Sequence, residues 1–276
     1  MKDNLNSYTT LNNGLKMPWL GFGVYQIEDG NEVQNAVSSA LKLGYRSIDT
    51  ATVYGNEIGV GKAIKESGIP REDIFLTTKV WNDDQRKNRT LAAFQESLKR
   101  LDTDYVDLYL IHWPVAGCYQ KTWKVMEEIY KSGRAKAIGV SNFLVPHLQD
   151  ILNLNTIVPS INQMEFHPYL VQPELLNFCQ NHHIQMEAWS PLMQGHIVDV
   201  PTVQNIAKKY KKTPAQIVLR WDLQHEVITI PKSANPNRII ENTQIFDFEL
   251  SQTEMEELDA LDQSKRFGPD PANFDF

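Results

Sequence analysis

Along the chain, short runs of apolar and β-branched residues alternate with longer stretches whose apolar positions recur at helical spacing. The runs are Trp19–Gly23, Tyr45–Ile48, Ile74–Lys79, Tyr105–Ile111, Ala135–Val140, Ser160–Met164, Ile184–Trp189 and Val227–Ile230. Helical stretches lie between them, among them Asn31–Leu43, Thr90–Leu101, Trp123–Lys131, Val145–Leu154, Pro173–Asn181 and Pro214–Leu223. Strands that alternate with helices pair in parallel through crossovers. Eight such units in 276 residues predict an α/β fold, a closed (β/α)8 TIM barrel forming a single domain over 1–276. An open doubly wound sheet is the competing architecture. The segment TTLNNGLKMP reads as an N-terminal β-hairpin with a glycine-containing turn, placed to plug the bottom of the barrel. Two stretches after the last run, Asn235–Gln244 and Gln252–Leu261, predict extra C-terminal helices.

The open-sheet alternative calls for a G-x-G-x-x-G turn after an early strand. Gly21 and Gly23 begin such a pattern, but Gln26 stands at its third position; Gly59 and Gly61 begin another, with Ile64 there. Neither completes the fingerprint. A dinucleotide, if bound, is bound another way.

In a parallel barrel the chemistry collects at the C-terminal ends of the strands. There this sequence places Asp49 with Tyr54 just beyond, Lys79, His112, Ser141-Asn142, Gln163, Ser190 and Lys232-Ser233. Singly, each has an ordinary reading: Asp49 caps a helix, His112 fills a core, Lys79 lies on the surface, Asn142 makes a turn. Together they converge on one rim. An unperturbed tyrosine, with a pKa of about 10, is a poor proton donor near neutrality. An ammonium some 4 Å away would favour its phenolate by about 4 kcal/mol at an effective dielectric near 20, at most about three pKa units. Asp49 would keep Lys79 charged and oriented, and His112 could bond the same substrate oxygen. Such a group can protonate an alkoxide as it forms.

Composition adds exclusions. Hydrophobic residues make up 42% and charged residues 22%, a soluble balance, and the net charge of −7 lacks the basic footprint of a nucleic-acid binder. The basic run Lys208–Lys212 reads as a solvated helix end. Cys118 and Cys179 are too few and too far apart for a metal knuckle or redox pair, so free thiols and no metal are expected. The start shows no apolar signal region, and no stretch is apolar enough to span a membrane. The expected setting is the cytoplasm, without membrane partner.

These residues resemble the aldo-keto reductases. GYRSIDTATVYGNEIGVG, Gly44 to Gly61, is similar to that family's first signature; MEEIYKSGRAKAIGVSNF, Met126 to Phe143, to the second; and IPKSANPNRIIENTQI, Ile230 to Ile245, to the third. TKVWN around Lys79 and LIHWP around His112 also match. The likeness covers nearly the whole chain and is greatest to small bacterial members of the 2,5-diketogluconate and glyoxal/methylglyoxal reductase group.

The resemblance implies a catalytic tetrad of Asp49, Tyr54, Lys79 and His112, with Tyr54 as proton donor to a small carbonyl substrate. It implies NADPH (NADP+) lying extended on the rim. Ser141, Asn142 and Gln163 would hold the carboxamide, and Trp189 would stack on the nicotinamide where the family usually has tyrosine. Ser190 and Leu192 would meet the pyrophosphate. Lys232, Ser233 and Arg238 would grip the 2′-phosphate, a dianion suited to charged donors. Glu241 and Asn242 would meet the adenine. Val24 departs from the threonine of many relatives and is left out of the site. Tyr25, Trp81, His112 and Trp113 would line the substrate pocket. The loop WPVAGCYQ and the tail GPDPANFDF are short, and the expectation is a pocket left open, favouring small polar carbonyls over steroids, in a monomer. A glycoside hydrolase would need two carboxylates across the mouth, and a metal enzyme a cluster of ligands; neither pattern is found. A non-catalytic NADPH-binding subunit is the alternative of another class, against which the complete tetrad argues.

Overall fold

The computed structural model describes residues 4–276. An antiparallel hairpin opens it, β1 (Tyr8–Thr10) paired with β2 (Lys16–Pro18), Thr9 opposite Met17. Eight parallel strands follow: β3 (Phe22–Gly23), β4 (Ser47–Asp49), β5 (Phe75–Val80), β6 (Val106–Ile111), β7 (Ala135–Ser141), β8 (Ile161–Glu165), β9 (Gln185–Trp189) and β10 (Ile228–Thr229). Each pairs with the next in chain order. Parallel bridges Leu20↔Thr229 and Gly23↔Lys232 join the first barrel strand to the last and close the ring. The predicted barrel and hairpin are thus present. The hairpin binds the end of the barrel where strands begin: Asn12 donates to the Pro159 carbonyl and Asn13 to the Lys136 carbonyl. Met17 is fully buried beneath the barrel.

The crossovers are carried by α1 (Asn31–Lys42), α2 (Glu57–Glu66), α3 (Asn82–Arg86), α4 (Thr90–Leu101), α5 (Tyr119–Lys131), α6 (Val145–Leu152), α7 (Pro173–Asn181), α8 (Pro201–Tyr210) and α9 (Pro214–Gln224). Two helices beyond the barrel, α10 (Pro236–Glu241) and α11 (Gln252–Asp259), complete the set. The apolar spacing explains their seating. In α1 the buried positions are Val33, Ala36, Val37, Ala40 and Leu41, one stripe of a 3.6-residue period. Start signals are read off the sequence too. Thr213 and Gln216 form a reciprocal capping box before Pro214, and Ser251 does the same with Glu254.

The partial glycine fingerprints have a packing explanation. A Cβ on Gly59 would lie 2.3 Å from Val33, and one on Gly61 would lie 2.3 Å from the Leu101 carbonyl oxygen. The two glycines let α2 press between α1 and α4. A Cβ on Gly21 would lie 2.8 Å from Ile230, at the seam where the barrel closes.

Candidate active site

Asp49 ends β4, and Lys79 stands one residue before the end of β5, so parallel register brings them to the same rim. Lys79 Nζ donates to Asp49 Oδ1 at 2.6 Å and to the Thr50 carbonyl at 2.9 Å. The lysine is completely enclosed. Burial opposes its charge, but Asp49 and Tyr54 outweigh burial and raise its pKa, so the ammonium persists.

Tyr54 sits in a short 3-10 turn, Thr52–Tyr54, which buried Asn56 pins in place. Asn56 Nδ2 donates to the carbonyls of Val24 and Ile27, and Thr50 donates to its Oδ1. The turn is tied below by Thr52, which donates to the Lys79 carbonyl. Lys79 Nζ lies 5.1 Å from the Tyr54 ring centre. Here the structure corrects the simple acidity argument. Burial outweighs the opposing pull of Lys79, and the Tyr54 hydroxyl stands raised at about 12. The hydroxyl remains a protonated donor, and the lysine's contribution is to keep its phenolate attainable in a dry site.

His112 follows β6 and meets Tyr54 edge-on, ring centres 5.7 Å apart. Burial, and secondarily Lys79, lower its pKa well below the ordinary value. The imidazole is therefore neutral, and its Nδ1 is buried without a partner. Asn142 Nδ2 holds the His112 carbonyl at 3.0 Å. The Asn142 backbone has φ 64°, a left-handed conformation that asparagine tolerates.

Next to the tetrad the residues from β7, β8 and β9 interlock. Ser141 Oγ donates to the Gln163 carbonyl, Asn142 Nδ2 to Ser141 Oγ, and Trp189 Nε1 to Asn142 Oδ1 at 2.9 Å. Gln163 Nε2 donates at 2.8 Å both to Asp49 Oδ2 and to Glu187 Oε2. The result is a hydrogen-bonded floor linking Asp49 to the Trp189 indole. Ser190, at φ 53°, leaves its Oγ buried without a partner beside this floor, and Leu192 is half-buried just beyond. Further round the rim, Lys232 and Arg238 are exposed, and among the described residues no acid pairs with either side chain. Ser233 Oγ accepts from the Asn235 amide. Glu241 is occupied by Thr213, whose hydroxyl donates to it, and Asn242 is buried at the end of α10. An interlocked amide floor beside an indole, a free buried hydroxyl, then two unpaired cations: this donor set fits a nicotinamide dinucleotide with an added phosphate.

On the mouth side, Tyr25 is 56% exposed and leans over Tyr54, ring centres 5.0 Å apart. Trp81 stands edge-on to His112 at 5.2 Å. The expectation of an open pocket fails here. Phe276 stacks on Trp81 and meets Trp113 edge-on at 5.1 Å, while Phe274 meets Trp113 at the same distance. Arg86 and Asn82 donate to the Phe276 carbonyl. Upstream, Glu165 at the end of β8 accepts from the backbone amides of Phe267 and Gly268 and from His167. Gly268 passes so close to Trp189 that a Cβ there would lie 2.2 Å from the indole. The tail is short but stretched across the mouth, so few residues suffice. The alternation Phe274-x-Phe276 was the available signal. Phe274, Phe276, Glu165 and Glu187 are additions to the sequence-derived site.

Comparison with known proteins finds a family and close relatives. The profile described as "Aldo/keto reductase family" matches residues 19–263. A protein of Bacillus subtilis (strain 168) described as "Glyoxal reductase" is 55% identical, over 98% of each chain. "Methylglyoxal reductase DkgA" of Escherichia coli (strain K12) is 48% identical, over 96% of each. Among solved structures, a point mutant of Gox0644 "in complex with NADPH" superposes with a TM-score of 0.93 at 43% identity, covering 98% of this chain and 99% of that one. The closed barrel, the rim tetrad and these matches together show that the chain belongs to the aldo/keto reductase family.

Proposed function

We propose that this protein reduces small aldehydes and ketones, such as methylglyoxal, glyoxal and keto-sugars, to alcohols with NADPH. One observation carries the reading. Three separate segments bring Tyr54, a buried Lys79–Asp49 pair and a neutral His112 to one rim, beside an indole-edged amide floor. When bound, NADPH supplies the hydride to the carbonyl carbon and leaves as NADP+. The chain supplies the proton, from the Tyr54 hydroxyl to the carbonyl oxygen. Neutral His112 donates a hydrogen bond to that oxygen and orients the substrate without competing as an acid. Lys79 stabilises the phenolate left behind, and Asp49 holds Lys79 in place.

Ser141, Asn142 and Gln163 would hold the carboxamide, and Trp189 would serve the nicotinamide ring. Ser190 and Leu192 would meet the pyrophosphate; Lys232, Ser233 and Arg238 would hold the 2′-phosphate; Glu241 and Asn242 would meet the adenine. Tyr25, Trp81 and Trp113 border the substrate. The names of the two reductase relatives and the NADPH complex support this assignment. We place the protein in the cytoplasm as a monomer; among the described residues no helix is long and apolar enough to cross a membrane. The test is NADPH consumption with methylglyoxal, followed beside the Tyr54→Phe variant. Turnover by wild type alone is expected; turnover by neither, or equally by both, overturns the assignment.

A further inference from the structure

Glu187 is a second buried carboxylate inside the barrel, and the reduction scheme gives it no part. It lies at the middle of β9, fully enclosed, in register with Gln163 of β8 and Ile228 of β10. Its Oε2 accepts from Gln163 Nε2 at 2.8 Å, and its Oε1 is buried with no partner. The same nitrogen donates to Asp49 Oδ2, whose other oxygen holds Lys79.

Two constraints follow. A carboxamide carries two N–H bonds on its nitrogen and none on its oxygen. With a carboxylate on each N–H, only one orientation of the Gln163 amide satisfies both, and its Oε1 is left as the acceptor offered to a ligand. The second constraint is charge. Two carboxylates and one ammonium in a dry cluster carry an excess negative charge when all are ionised. The charged groups acting on Glu187 are Asp49 from β4 and Lys79 from β5, with Tyr54 behind the lysine. Burial, then Asp49, raise its carboxyl to about 8, against the pull of Gln163 and Lys79.

We propose that Glu187 is a titrating positioning residue: its acceptor oxygen locks the Gln163 amide that meets the nicotinamide, and its ionisation biases the site toward the oxidised cofactor. This rests on the NADPH reading above. The sign is electrostatic. The nicotinamide of NADP+ carries a positive charge that NADPH lacks, and an added carboxylate charge in a dry barrel attracts only the former. Reciprocally, NADP+ favours ionisation of Glu187 and so releases a proton.

The test is tryptophan-fluorescence titration with NADP+ and with NADPH from about pH 6.5 to about 9.5, bracketing an ionisation near 8. In wild type the preference for NADP+ over NADPH should rise at least about threefold across that range. Titration of the 2′-phosphate and of surface groups affects both dinucleotides alike and cancels in the ratio. Glu187→Gln should hold the ratio at its low-pH value, and Glu187→Asp should keep a pH dependence. A flat wild-type ratio, or the same rise in Glu187→Gln, overturns the proposal. Should Glu187→Gln fail to fold, calorimetry of wild type near pH 8 in two buffers decides. Proton release with NADP+ and not with NADPH supports the role, and equal release refutes it. Failure of wild type to bind either dinucleotide overturns the cofactor reading and takes this role with it.

Discussion

Phe276 lies parallel to Trp81, ring centres 5.8 Å apart and planes 6° apart. With Trp113 and Phe274 the contact completes an aromatic wall at the barrel mouth. Replacing Phe274 and Phe276 together by alanine should raise KM for aromatic aldehydes by roughly fivefold, on the scale of about 1 kcal/mol of lost apolar burial. KM for methylglyoxal, too small to span the wall, should change less than about twofold, and steroid ketones should remain poor substrates. A size-graded substrate series checks this; equal effects on small and large aldehydes would remove the tail from the pocket.

Tyr54→Phe keeps the ring and removes the proton. The rate of carbonyl reduction should fall at least about 100-fold, the scale of general acid catalysis, with cofactor affinity retained. Steady-state rates and fluorescence titrations separate the two, and near-normal turnover would exclude Tyr54 as the donor.

The pH dependence is set by the same hydroxyl. With its pKa raised to about 12, Tyr54 stays protonated through the neutral range. Ionisation of Tyr54 should therefore cause no loss of reduction below about pH 10, and any earlier loss must come from another group such as Glu187. Alcohol oxidation needs the phenolate as base, and its fraction grows about tenfold per pH unit below the pKa. Oxidation should accordingly keep climbing through about pH 10; a plateau near pH 8 would show a far more acidic tyrosine.

Arg238→Ala should weaken NADPH binding by about 1.5–3 kcal/mol, the worth of a hydrogen bond to a charged group, and leave NADH nearly unchanged. Competitive titration with the two cofactors reads the difference. Equal weakening would remove Arg238 from the phosphate.

Asp49→Asn leaves the enclosed Lys79 ammonium without its counter-ion. Breaking a buried pair costs about 3–5 kcal/mol, which lowers Tm by roughly 10 °C in a chain of this size. Adding Lys79→Met to that variant removes the stranded charge and should restore part of the loss. No recovery in the double variant would show that the pair is not the source of the instability.

Much of this was legible in the sequence because burial writes itself as pattern. Val106–Ile111 is buried at every position and reads as an apolar run broken only at Asp107, whose carboxylate is bonded by Arg71 and the Leu76 amide. The first and last barrel strands, Phe22–Gly23 and Ile228–Thr229, are shorter than their apolar runs because the seam is completed by isolated bridges. The helix Glu57–Glu66 was hidden by Gly59 and Gly61, residues that disfavour helix in isolation but permit close packing here. Asp49, Lys79 and His112 were readable as polar interruptions at strand ends. Glu187 was not, since one acid within a strand gives no sign of which carboxylates lie across the barrel. Nor was the acidity of Tyr54, where desolvation outweighs the neighbouring lysine. The tail escaped because residue count says how long a segment is and not which way it runs.

Gly268 crosses the edge of Trp189 at a distance that admits no side chain. For engineering, this point divides the molecule into a floor to be kept and a roof to be exchanged. Libraries that vary 269–276 can reshape substrate scope while the indole, the amide floor and the acid tetrad stay as they are. A library that touches position 268 shifts the indole itself, and with it the bond that ties the indole to Asn142.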